Sequence, residues 1–262
     1  MELLALMLSG AAAGVMAGLL GIGGGMLIVP VIALLLERQG VSPDVIMQCA
    51  IGTSLATITF TALSSMRAHH KRGAVRWPLF MRLTPGIVIG GLLGAAIADW
   101  LPGRSLRYIV AVSMLAVAAQ MAFGGRAANP HRTLPGRPVL VTAGGLIGTL
   151  STLIGIGGGS LTVPFLTWCS VPVKQAIATA AALGFPIALS GAVGYVVGGL
   201  NESDLPPFSL GYIVLPAFAG IVVASTAAAP LGARLAHRLS DVTLRRIFAV
   251  FLLVLGVRML LS

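Results

Sequence analysis

The sequence predicts an all-α, polytopic helical membrane protein made of two inverted-topology repeats, each a glycine-broken helical hairpin followed by three membrane-spanning helices. Three observations predict it. Only 9% of the 262 residues are charged and 57% are hydrophobic, with a mean hydropathy of +0.99, whereas a soluble domain carries about 25% charged residues. Apolar runs without a central charge recur along the whole chain, several reaching the roughly 20 residues that a bilayer crossing needs. Third, Gly21-Ile22-Gly23-Gly24-Gly25 and Gly155-Ile156-Gly157-Gly158-Gly159 lie 134 residues apart inside apolar segments. Each is followed by a run that ends in Val-Pro, at Val29-Pro30 and Val163-Pro164. The dyad alternation of a membrane β-barrel is absent.

The elements follow in order. Residues 3–20 form a first apolar arm. A cleaved signal is disfavoured there, because the first charge is Glu2 rather than a basic n-region. The first glycine cluster breaks the chain, and a short arm covers 26–36. Helices follow at 46–66, 79–98 and 107–123. The second carries Gly86-x3-Gly90-x3-Gly94, a small-residue row of the kind that packs helices closely. Residues 1–123 are the first repeat and 124–138 a cytoplasmic linker, marked by Asn129-Pro130 and Pro135-Gly136 turn signals. Residues 139–262 are the second repeat, with arms at 139–154 and 160–171 and helices at 174–199, 211–231 and 246–261. Two further matches keep the same order. Ala50-Ile51-Gly52-Thr53-Ser54 resembles Ala176-Ile177-Ala178-Thr179-Ala180, and Leu106 to Val112 resembles Leu244 to Val250. Together they indicate an internal duplication.

Charge sets the orientation. The net charge of +10 is concentrated in three loops, Arg67 to Arg82, Arg126 to Arg137 and Arg234 to Arg246. That is the positive-inside pattern of membrane proteins rather than a nucleic-acid surface. With those loops in the cytoplasm, 13 of 17 Lys and Arg residues fall inside and six of seven acids outside. Segment 138–171 then begins and ends in the cytoplasm, 1–36 begins and ends outside, and both termini are extracytoplasmic. The two halves become upside-down copies. The arms 26–36 and 160–171 reach only about 18 Å, short of a hydrocarbon core about 30 Å thick. Re-entrant hairpins whose tips meet near the midplane fit that length. The plainer alternative has the longer arms, 3–20 and 139–154, spanning at a tilt.

Each glycine cluster costs helix stability, roughly 1 kcal/mol per glycine relative to alanine. Membrane-embedded backbone tolerates such a break only where protein, water or ligand satisfies the freed groups. Paired breaks at matching points of two halves point to a transport site. The helices that begin after the glycines present free N–H groups and a partial positive charge, which suits a small anion. The candidate substrate-binding residues are therefore Gly23, Gly24 and Gly25 in the first repeat and Gly157, Gly158, Gly159 and Ser160 in the second. Thr53, Ser54 and Thr179 join them from the repeat match. Thr162 adds a second hydroxyl where the first repeat has Ile28, which makes the pocket asymmetric. No Asp, Glu, Lys, Arg or His sits near the centre of a proposed helix. A cation or proton-relay carrier usually keeps one there, so dipoles and hydroxyls holding an anion fit better than a metal-cation carrier.

Each motif also has a bland reading. Hydroxyls in the row Thr53, Ser54, Thr57, Thr61 can simply bond back to the preceding turn. Gln48 and Gln175 can act as caps, and Gln120 in interhelical bonding. His69-His70 beside Lys71-Arg72 sits in a basic loop that repels metal ions, so headgroup contact or topology setting explains it better. Cys49 and Cys169 read as small packing residues rather than a disulfide. No Lys-Ser/Thr follows either glycine cluster, which removes a nucleotide-phosphate loop.

The paired Gly-Ile-Gly-Gly-Gly…Val-Pro motifs, the Ala-Ile-Gly-Thr-Ser run at 50–54 and the basic loop His69 to Trp77 resemble the TauE/SafE sulfite-exporter family, also called the toluene-sulfonate uptake permeases. The resemblance spans essentially the full chain. It implies a multi-pass permease of the bacterial or archaeal inner membrane for a small sulfur-containing anion such as sulfite, sulfoacetate, another organosulfonate or thiosulfate. Ala178-Thr179-Ala180 departs from the Gly-Thr-Ser of the first half, which removes a serine at position 180.

The reading is a secondary transporter of such an anion, alternating access between the inverted halves. An anion channel, or a transporter of a non-sulfur anion, is the alternative. An enzyme is disfavoured, because no His-Glu-x-x-His, Gly-x-Ser-x-Gly or buried Asp pair occurs. The expected partners are the anion and the lipid bilayer, with no cofactor, no metal and no nucleic acid. Coupling to protons or to sodium, transport direction and oligomeric state stay open.

Overall fold

The computed structural model describes residues 25–123, 134–236 and 241–261. The expected arm at 3–20, Gly21 to Gly24 and most of the linker lie outside them. The described residues form α1 (Gly25–Arg38), α2 (Pro43–Lys71), α3 (Trp77–Trp100), α4 (Gly103–Phe123), α5 (Arg137–Ile154), α6 (Gly159–Trp168), α7 (Val173–Gly198), a 3-10 turn (Gly199–Asn201), β1 (Ser209–Leu210), β2 (Ile213–Val214), α8 (Leu215–Ala236) and α9 (Asp241–Leu261). Five of these helices are long and apolar enough to cross a membrane. The protein is a polytopic helical membrane protein.

Element boundaries differ from the sequence reading for local reasons. α2 starts at Pro43, where a missing N–H costs nothing. It ends at Lys71, a cation that suits the negative end of a helix. α5 starts at Arg137 with Pro138 in its first turn, so it takes two residues from the expected linker. The helix expected from residue 211 begins only at Leu215. Before it, β1 and β2 form an antiparallel hairpin that pairs Ser209 with Val214 and Leu210 with Ile213. The hairpin turns through Gly211, at φ +52°. Gly211 lies so close to α7 that a Cβ there would be 2.7 Å from the Cα of Val196. Only glycine combines that contact with a left-handed backbone.

α2 and α7 are the centre of the molecule. Of their most apolar stretches, 83% and 72% are buried, against 28% to 44% for α3, α4 and α5. The two run antiparallel, with Gly52 against Tyr195, Leu55 against Gly191 and Ala62 against Gly184. α3 runs parallel to α5, as Gly86, Gly90 and Gly94 meet Val141, Gly145 and Thr149 in register. A Cβ on Gly94 would come within 2.6 Å of Thr149 O. From the other side, Gly144 and Gly148 would come within 2.6 Å of Leu83 O and 2.5 Å of Ile87 O. The glycine row read as a packing surface is therefore one, and Gly144 and Gly148 supply its mate. α3 is also parallel to α7, with Ala95 at Gly194 and Asp99 at Gly198. The outer faces of α3 and α4 expose Ile89, Leu93 and Val112, apolar surface that suits hydrocarbon.

α3 and α8 run in opposite directions, as do α1 and α6. α8 lies parallel to α2, with Val214 at Thr53 and the Phe218 ring 5.6 Å from that of Phe60. It is therefore antiparallel to α3. α1 leads from Gly25, beside Ser54, towards the Glu37–Arg107 ion pair at one end of the molecule. α6 leads from the middle of α7 towards the other end, where Leu166 shares an apolar cluster with Leu79 and Leu83.

The two ends differ in charge. One holds Glu37 paired with Arg107, Gln48 Nε2 donating to Leu101 O at 3.1 Å, and Tyr212 OH donating to Asp99 Oδ1 at 2.8 Å. Burial first, then the bond to Asp99, pushes the Tyr212 phenol above its ordinary pKa, so it remains a donor. Arg67, Lys71, Arg72, Arg76, Arg82, Arg137 and Lys174 gather at the opposite end. There Trp77 Nε1 donates to His70 Nδ1 at 3.2 Å and meets its ring edge-on. Cys49 and Cys169 are both buried and are not joined in a disulfide. Gln120 is exposed on α4 rather than bonded between helices.

Candidate functional site

The site forms where α5 stops. Gly155 adopts φ +74°, the left-handed conformation that ends helices, and the N–H of Ile156 closes back on Ser151 O at 2.9 Å. The chain passes through Ile156 and Gly157 without regular structure, and α6 begins at Gly159. Every residue from 151 to 158 is buried. This broken tip lies deep in the fold. A Cβ on Gly158 would sit 2.6 Å from Ile187 Cδ1 and 3.4 Å from Ala180 O, level with the middle of α7.

The tip is rich in free donors. The first paired amide of α6 is Thr162 N–H, bonded to Gly158 O at 2.9 Å. The N–H groups of Gly157, Gly158, Gly159, Ser160 and Leu161 have no hydrogen-bond acceptor among the described residues. Buried unpaired amides are rare in proteins, because each costs about as much as a lost hydrogen bond. Two of the five, on Gly157 and Gly158, belong to buried residues, and the other three, on partly exposed residues, are the open amides of the first turn of α6; together they form a cradle suited to an acceptor. The α6 dipole adds about half a positive charge at the same place. Thr162 is fully buried, its hydroxyl has no partner, and its Oγ1 lies 3.3 Å from where a Gly158 Cβ would be. The hydroxyls of Ser151 and Thr152, in the last turn of α5, are likewise fully buried and unpartnered.

The last residue of the first glycine motif reaches this tip. Gly25, the first residue of α1, lies against the second break, and a Cβ on it would come within 2.7 Å of Gly155 O. Ser54 Oγ stands between them, 3.1 Å from Gly155 O and 3.4 Å from Gly25 O. Ser54 is 11 residues into α2, about 16 Å from the helix start and roughly 26 Å from its end. The meeting point is thus well away from both ends.

The remaining candidates divide. Gly25, Ser54, Gly157, Gly158, Gly159 and Ser160 are gathered at the tip, with Gly159 and Ser160 partly exposed. Gly23 and Gly24 lie outside the described residues. Thr53 and Thr179, both fully buried, hold backbone instead. Thr53 Oγ1 accepts the Val214 N–H at 2.9 Å, just before α8. Thr179 Oγ1 accepts the Arg76 N–H at 3.0 Å, just before α3. Each threonine anchors the start of the helix that belongs to the other half of the chain. Thr57 and Thr61 bond back to the preceding turn. Ser151 and Thr152 are additions. Their one signal in the sequence is their place on the arm that runs into the second glycine cluster.

Comparison with known proteins identifies the family. The sequence model described as "Sulfite exporter TauE/SafE" matches residues 6–259. The chain belongs to the TauE/SafE family. This TauE/SafE chain is 37% identical over 257 residues to a probable membrane transporter protein of Haemophilus influenzae, covering 98% of this chain and 97% of that one. It is 26% identical over 259 residues to a probable membrane transporter protein of Methanocaldococcus jannaschii, covering 98% and 94%. With the Bacillus subtilis probable membrane transporter protein YunE it shares 29% identity over 218 residues, 76% and 80% of the two chains. No solved structure matches the chain. The TauE/SafE chain is a multi-pass membrane transporter.

Proposed function

We propose that the protein is a secondary transporter of a small sulfur-containing anion, such as sulfite, sulfoacetate or another organosulfonate. One observation carries the reading: five consecutive unpaired amides, Gly157 to Leu161, at a broken tip whose first two residues are buried, beside the buried, unpartnered hydroxyl of Thr162. An oxyanion supplies several acceptors at once and needs no cationic side chain where dipoles converge. The substrate-binding residues are then Gly157, Gly158, Gly159, Ser160 and Thr162, with Gly25 and Ser54 beside them from the first half of the chain; Gly23 and Gly24 stay candidates from the sequence alone. Sulfur rests on the family description alone, since the amides would hold any small oxyanion.

Alternating access follows from two inverted halves, residues 1–123 and 139–262, rocking about the central α2–α7 pair. The opposed directions of α2 and α7, of α3 and α8, and of α1 and α6 support the inversion. So do the swapped anchors at Thr53 and Thr179. The basic end faces the cytoplasm and both termini lie outside, in a bacterial or archaeal inner membrane. The test is sulfite flux in proteoliposomes, read for saturation and trans-stimulation against sulfoacetate, chloride and acetate. Linear, non-saturating flux identifies a channel instead, and equal competition by acetate removes the sulfur preference.

A further inference from the structure

Ser54 has one proton, and two carbonyl oxygens converge on it, Gly155 O at 3.1 Å and Gly25 O at 3.4 Å. A hydroxyl donates to one acceptor at a time, so one of these contacts is always oxygen against oxygen lone pair. Both glycines hold the cluster open. A Cβ on Gly25 would press on Gly155 O at 2.7 Å, and Gly155 takes a left-handed φ of +74° to turn its carbonyl out of α5.

We propose that Gly25 O, Gly155 O and Ser54 Oγ form a binding site for a dehydrated monovalent cation of sodium size. Oxygens spaced at 3.1 and 3.4 Å fit an ion with ligands at about 2.3–2.4 Å, the short end of the range for hard cations held by oxygen. Potassium is larger and needs its oxygens farther apart. None of the three ligands carries a charge, and among the described residues no group of three His, Cys, Asp or Glu side chains could hold a metal. A divalent ion would stay uncompensated here. Carbonyls at broken helices are suited to sodium in this way.

The site has a direct relation to the amide cradle. Gly155 and Gly157 are two residues apart, so their Cα atoms are at most about 7.6 Å from each other. A cation on Gly155 O sits beside the anion bound by the N–H groups that start at Gly157, and each raises the affinity for the other by the same factor. Cation binding itself needs nothing from the anion reading; only the coupling rests on it.

The experiment uses the purified full chain in detergent with no sulfur anion. The thermal midpoint is followed as NaCl, KCl or choline chloride is varied at fixed ionic strength. The expected result is a saturable rise with sodium alone, lost in Ser54→Ala and kept in Thr57→Ala, whose hydroxyl bonds back to Thr53 O. Ser54→Cys, which keeps the bulk but offers a poor ligand, repeats the loss if the alanine variant is not recovered folded. Equal midpoints in the three salts overturn the proposal, as does a sodium response retained in the Ser54 variants. Sulfite affinity is then measured with and without sodium, and about a fivefold or greater tightening is expected. Absent sulfite binding in both salts counts against the anion reading and leaves the sodium result standing on its own; unchanged sulfite affinity overturns the coupling.

Discussion

Gly158→Ala separates a binding role for the tip from a packing role. Gly158 has φ −55° and ψ −8°, a helical conformation that alanine adopts without strain. Its new Cβ would lie 2.6 Å from Ile187 Cδ1, the free end of a side chain, and 3.4 Å from Ala180 O, an ordinary contact. Moving Ile187 off its rotamer costs about 0.5–1.5 kcal/mol, a loss the fold survives. The same methyl sits 3.3 Å from Thr162 Oγ1, the unpartnered hydroxyl of the proposed site, on a residue whose own N–H is one of the open amides. Losing one charge-assisted bond to the anion costs about 1.5–3 kcal/mol, or roughly ten- to 150-fold in affinity. The assay is sulfite uptake into proteoliposomes at matched amounts of folded protein. The apparent KM should rise by that factor while the thermal midpoint falls only slightly. Ile187→Val removes the clashing Cδ1, so the double variant should recover the midpoint and keep the raised KM. A Gly158→Ala KM within about twofold of wild type, well under the loss of one bond, refutes the placement. So does a double variant that regains wild-type transport, because that would make the defect one of packing.

The other predictions concern neighbouring parts of the fold. Thr162→Val removes the unpartnered hydroxyl at nearly constant volume; sulfite affinity measured by thermal shift should weaken while the midpoint of the ligand-free protein holds or rises, since no bond is lost. Thr53→Val and Thr179→Val each leave a backbone N–H without its acceptor, so each midpoint should drop by the equivalent of about 1–3 kcal/mol, with similar losses for the two. Gly90→Leu drives a side chain into the α5 backbone at Gly145, and recovery of folded protein from membranes should fall to background on size-exclusion chromatography. A reporter fused after Arg72 should read cytoplasmic and one at Glu202 periplasmic; the reverse pattern would overturn the orientation.

Much of this architecture follows from composition and period alone. A chain with so few charges has one solvent that suits it, and the lengths of its apolar runs follow from bilayer thickness. The second glycine cluster marks the break after α5 because glycine holds a helix poorly, and the row Gly86, Gly90, Gly94 marks a close helix contact because the spacing puts all three on one face. What those facts leave open is the partner of each group. Thr53 and Ser54 are adjacent in the sequence and equally polar, yet their side chains leave α2 about 100° apart. One therefore meets the Val214 amide and the other the two glycine carbonyls. Thr152 looks like an ordinary helix hydroxyl until Gly91 and Gly94 of α3 and Gly191 of α7 pack around it and its hydroxyl is left without a partner. Local sequence determined where the backbone breaks. Only the packing of α2 and α7 decided which freed groups come together, because that depends on contacts between residues a hundred positions apart.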